Sequence, residues 1–202
     1  MAYSDFNLVT LIKQFQLTIH EDQDLFSAVE AYAVDPYFLT RLAENVQMAL
    51  AISTEKARSE FIIAPILAEL RHLTNQRIGL FSGVDFTVAP EQGLAGVCDF
   101  IISHSPEQLL VRAPVIMLVE AKNEDMKRGY AQCIAEMIAA QTFNQREGIE
   151  IAPIYGVVTT GNNWRFLQLI EDIVQIDRRE YYIERPEKII GILWHLVRES
   201  EG

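Results

Sequence analysis

Three ionisable residues stand inside apolar, strand-forming stretches. Asp99 lies within GVCDFIIS (residues 96–103), and Glu120 and Lys122 end VIMLVEAK (residues 115–122). Burying any of them alone is costly, so the fold must supply partners. Side chains alternate across a strand, which places Glu120 and Lys122 on one face, two residues apart. If the strand with Asp99 pairs with the strand with Glu120, two carboxylates and one ammonium converge at the edge of an apolar sheet. Such hard oxygen ligands suit Mg²⁺ or Mn²⁺, and a metal there keeps waters that it can acidify. A structural ion pair needs only one of the carboxylates. The second adds like-charge repulsion that a bound cation relieves.

These strands need a frame. Leu8, Leu11, Ile12, Phe15 and Leu17 recur at helical spacing and predict a helix over 7–19, followed by an acidic, irregular segment that contains Pro36. Residues 1–52 read as a helical lead-in packed on a core domain of residues 53–202. A helix is expected over 39–50. A long core-facing helix is expected after the Ser53-Thr54 cap, with Glu55 in its first turn. Its stripe is Ala57, Phe61, Ala64, Leu67 and Leu70, with a kink or restart at Pro65. Strands follow over 78–88 (broken at Gly83), 96–103 and 115–122, then a helix over 123–145. Strands over 154–160 and 164–169 form a hairpin around Gly161-Asn162-Asn163, and a helix over 189–197 closes the chain. The order predicts an α/β protein with a mixed central β-sheet flanked by helices on both faces.

Composition bounds the function. Half of the 202 residues are apolar, and 28 acidic against 17 basic residues leave a net charge of −11. A folded single-core protein is expected. The acidity argues against a nucleic-acid partner, because phosphate contacts need Lys and Arg. The N-terminal stretch lacks the cationic and apolar regions of a signal peptide, and no apolar run approaches membrane-spanning length. Cys98 and Cys133 sit in apolar surroundings, far apart in sequence, and read as buried reduced thiols. A cytoplasmic protein with no membrane partner is the expectation.

Asp99 followed one strand later by Glu120-Ala121-Lys122, each strand framed by helices, resembles the PD-(D/E)XK nuclease superfamily and its restriction-endonuclease-like fold over residues 53–169. The E-x-K spacing alone arises by chance about once in a chain of this length; its position at the end of an apolar strand carries the likeness. The resemblance implies that Asp99 and Glu120 bind Mg²⁺ or Mn²⁺ with the Ala121 carbonyl, and that Lys122 positions water and stabilises charge developing on the phosphate. It further implies a helical acid, best matched by Glu60 with Glu69 second, and a helical glutamine, matched by Gln132. Cys98 stands where the motif's proline would be. The implied activity is metal-dependent hydrolysis of nucleic acid, DNA first, with a homodimer expected if both strands of a duplex are cut. The acidic balance motivates the alternative, a catalytically silent scaffold or protein-interaction module on the same fold.

Other features read as structural. His20, His72, His104 and His195 lie in no ligand-like spacing. Trp164 and Phe166 alternate as core residues, rather than forming a base-stacking platform. The stretch around Arg178, Arg179, Arg185 and Lys188 has acids interleaved and reads as a solvated, salt-bridged face.

Overall fold

The computed structural model describes residues 2–123 and 126–200. Asn7 opens helix α1 (Leu8–Phe15) by accepting from the Thr10 N–H at 3.0 Å, and Gln16, in the left-handed region at φ 55°, ends it. The predicted helix therefore stops short. Thr18–His20 instead forms strand β1, parallel to Ile173–Ile176 (β7) with Thr18 opposite Ile173. A partner some 150 positions away overrides the local helical spacing.

Asp35 caps α2 (Pro36–Ile52) through the Tyr37 N–H at 2.7 Å, with Pro36 at the helix start, where its missing N–H costs nothing. Thr54 caps the next helix through the Ala57 N–H at 3.1 Å. That helix runs as α3 (Glu55–Arg58), a π turn (Ser59–Ile63) and α4 (Ala64–Leu73). Pro65 cannot donate to the carbonyl four residues back. The helix widens just before it, and the Ala64 N–H reaches the Ser59 carbonyl. The extra residue rotates the buried face by about 100°. Ile62, Ile63 and Ile66 are consequently buried with Leu67 and Leu70, whereas Phe61 and Ala64 of the expected stripe are only half-buried.

The remaining strands and α-helices among the described residues are β2 (Gly79–Asp85), β3 (Val97–Ser103), β4 (Val115–Ala121), α5 (Met126–Arg146), β5 (Ile154–Thr159), β6 (Asn163–Ile170), β8 (Tyr181–Tyr182) and α6 (Pro186–Glu199). Strands β7 and β8 extend the predicted hairpin. β7 turns back from β6 through Glu171, which adopts φ 55°, and the two residues of β8 pair with the start of β6. Among the described residues the sheet has eight strands in the order β1-β7-β6-β5-β4-β3-β2, with β8 on β6. β4 and β5 are parallel neighbours joined by α5, and β2–β3–β4 and β5–β6–β7 are antiparallel. The protein is thus α/β with a mixed sheet flanked by helices, as the sequence predicts.

Burial explains the layering. β4 and β5 are buried along their whole length, as strands covered on both faces must be. One face packs Leu42, Ile62, Ile66, Leu70 and Leu193 from α2, the 55–73 helix and α6 against Phe100, Val119, Trp164 and Phe166. The other packs Leu11 of α1 and Ala131, Ile134 and Ile138 of α5 against Ile101, Leu118 and Val158. Both cysteines are free and buried. Among the described residues no helix is long and apolar enough to cross a membrane.

Candidate active site at the ends of β3 and β4

β3 and β4 pair antiparallel up to Phe100 opposite Val119, so Asp99 and Glu120 stand next to this last pair, where the ladder ends. The Ala121 N–H donates to Asp99 Oδ2 at 2.8 Å. Lys122 lies one residue beyond β4, but its N–H still reaches the Thr159 carbonyl at 2.8 Å and continues the alternation. Glu120 and Lys122 therefore share the α5 face, as the period-two pattern requires.

On that face the side chains close into a network. Lys122 Nζ donates to Glu120 Oε1 and, at 3.2 Å, to Gln132 Oε1. Gln132 Nε2 donates to Glu136 Oε1 at 3.2 Å. Glu120 and Glu136 lie within hydrogen-bonding reach of each other, and both are fully buried. The Oε2 atom of each is buried without a donor.

The electrostatics follow from three carboxyl groups around one ammonium. Burial, and then the charge of Asp99, push the Glu120 carboxyl up to about 7 against the pull of Lys122. Burial and then Glu120 hold Glu136 well above the ordinary carboxylate range. Burial also raises Asp99, opposed by its bond from the Ala121 N–H and by Lys122. At Lys122 burial disfavours the ammonium, but attraction and hydrogen bonding to Glu120 outweigh it, and its pKa is raised.

Asp99 also faces outward. With Ala121 it lines an open cleft of about 270 Å³ whose other wall is Glu55, Lys56, Ser59 and Glu60 from α3 and the π turn. The π turn thus delivers Glu60 to the cleft that holds Asp99. Its carboxylate, however, is half-exposed and paired with Lys56 at 2.9 Å. Glu69, the second helical candidate, is not among the lining residues. Arg58 donates to the carbonyls of Asn123 (3.4 Å) and Thr160 (3.3 Å), fastening this helix to the ends of β4 and β5.

The fold therefore brings Asp99, Glu120, Ala121, Lys122 and Gln132 together and leaves Glu60 at the rim. The donor set suits a hard divalent cation: carboxylates in excess of ammonium, and a Glu120 oxygen with no donor. Among the described residues no group of three or more His, Cys, Asp or Glu side chains is already arranged to hold a metal ion. The fit consequently rests on Asp99, Glu120 and the Ala121 carbonyl.

Glu136 is the main residue missed in the sequence. Its signal was there: a lone carboxylate in the apolar run 133–140, four residues after Gln132 and hence on the same helical face. The basic stretch near the C-terminus is partly corrected. Arg179 pairs with Asp24 at 2.5 Å on the surface, but Asp177 is fully buried and Lys188 donates to the carbonyls of Phe26, Ser27 and Val29. Trp164 and Phe166 are core, with the indole N–H on the Gly161 carbonyl at 2.9 Å.

No family model matches the chain, and neither does any curated protein or solved structure.

Proposed function

We propose that this chain is a metal-dependent nuclease, hydrolysing phosphodiester bonds of nucleic acid, DNA first, on a restriction-endonuclease-like fold of the PD-(D/E)XK type. The observation that carries the proposal is the meeting of Asp99, Glu120 and Lys122 at the paired ends of β3 and β4, beside a cleft that Glu60 also lines. Asp99, Glu120 and the Ala121 carbonyl would hold Mg²⁺ or Mn²⁺, with Glu60 approaching from the rim. When bound, the metal supplies Lewis acidity and a water of lowered pKa. Lys122 orients water and offsets charge on the phosphate, and Gln132 holds the Lys122 ammonium in place. A cytoplasmic setting suits the two reduced, buried cysteines, and cutting both strands of a duplex calls for a second copy of the chain.

The test is cleavage of single- and double-stranded DNA and RNA with Mg²⁺ or Mn²⁺, comparing the wild type with Asp99→Ala and Lys122→Ala. Loss of cleavage in both variants, with the fold intact, supports the reading; unchanged cleavage in both overturns it.

One observation favours a second reading. The cleft is lined by Glu55, Glu60 and Asp99 against Lys56 alone, on a chain of net charge −11. A negative cleft repels phosphate and suits a silent scaffold or protein-interaction module. Calorimetric Mn²⁺ titration separates the two: millimolar or tighter binding abolished by Asp99→Ala favours the nuclease, and its absence favours the scaffold.

A further inference from the structure

We infer that Glu136 is a positioning residue, holding Lys122 through Gln132. The inference rests on the proposed active site and assigns a role to a residue outside its motif. Glu136 lies on α5, fully buried, among Cys133, Ala135, Met137 and Ala140, where an apolar side chain would fill the same space without desolvating a carboxyl group. Packing alone does not account for it.

Its hydrogen bond does. Gln132 carries one acceptor and one donor group on its amide, and the two ends are otherwise interchangeable by a flip. Glu136 Oε1 accepts from Gln132 Nε2 at 3.2 Å, which turns Gln132 Oε1 toward Lys122 Nζ, also at 3.2 Å. Remove Glu136 and Gln132 Nε2 loses its acceptor, so that Lys122 alone orients the amide and the glutamine side chain is no longer held at its far end. Glu136 also neighbours Glu120, which is itself the other partner of Lys122. Glu120, Lys122, Gln132 and Glu136 thus form a closed ring. Gly129 completes the arrangement: a Cβ there would stand 3.0 Å from Lys122 Cγ, so its absence lets the lysine stem lie against α5.

The role is tested with E136M, which keeps bulk but removes the acceptor, and E136Q, which keeps an acceptor oxygen. Two readouts are used: cleavage kinetics with Mg²⁺, and labelling of Lys122 by an amine-acylating reagent in the metal-free protein, followed by mass spectrometry. In E136M, kcat is expected to fall about 10- to 100-fold with KM little changed, and Lys122 to label several-fold faster. E136Q is expected to restore most of both. Equal Lys122 labelling in wild type and E136M, with both proteins folded, overturns the inference. A wild type that cleaves no substrate removes the nuclease reading but leaves the labelling comparison decisive for the ring. Should E136M fail to fold, Q132L breaks the same ring at its other link and is read by the same labelling criterion.

Discussion

Glu120 of β4 and Glu136 of α5 face each other in the interior with no solvent exposure, and each keeps one carboxylate oxygen without a donor. Lys122 is the only ammonium in their ring, and burial together with mutual repulsion raises the pKa of both carboxyl groups. The sheet tolerates this cluster because it sits at the end of β4, where the strand gives way to the connection into α5.

Stability should fall as pH rises. A glutamate carboxyl ionises near 4.5 when unfolded, whereas that of Glu120 is pushed up to about 7 in the fold. Between these values the folded chain holds a proton that the unfolded chain has lost. The stabilisation is full below 4.5 and is lost as pH passes through 7. The urea midpoint of the metal-free protein is therefore expected to be lower at pH 8 than at pH 5, with a smaller drop in Glu136→Gln, which removes one acid of the pair. Equal drops in both proteins would assign the effect to overall negative charge instead.

Asp99 separates folding from chemistry. Asp99→Asn keeps an oxygen for the Ala121 N–H, whereas Asp99→Ala leaves that donor unpaired. Urea unfolding should show Asp99→Asn near wild type and Asp99→Ala lower by about 1–3 kcal/mol. Mg²⁺-dependent cleavage should be lost in both.

Gly129→Ala decides between propensity and packing. Alanine in a helix interior normally stabilises by about 1 kcal/mol over glycine. Here the new Cβ would lie 2.6 Å from Val158 Cγ1 and 3.0 Å from Lys122 Cγ. Overpacking at this buried contact should win, with net destabilisation of roughly 1–3 kcal/mol in urea unfolding and slower cleavage through the displaced Lys122. A stabilised, fully active variant would contradict the packing described.

Asp177 anchors the N-terminal segment. Fully buried, it accepts from the N–H groups of Leu25 (3.3 Å) and Arg179 (2.9 Å) and from the Tyr181 hydroxyl (2.9 Å). Asp177→Ala leaves these donors without an acceptor and is expected to cost roughly 2–4 kcal/mol. Limited proteolysis should show faster cleavage within residues 21–34.

What the sequence determined by itself was local. Continuous apolar runs specified β3 and β4, helical spacing specified most of α2 and α5, and Asp99, Glu120 and Lys122 were legible because a charge inside an apolar strand demands a partner. Period-two alternation by itself places Glu120 and Lys122 on one face. The tertiary structure alone decided what those residues meet. Thr18–His20 became a strand because β7 offered an edge to pair with, and the π turn before Pro65 moved the buried face and brought Glu60 to the cleft. Glu136 joined the site because α5 packs on β4 and brings it beside Glu120. Periodicity records which way a side chain points, whereas its partner depends on how elements distant in sequence pack, and that packing is fixed only when the whole core closes.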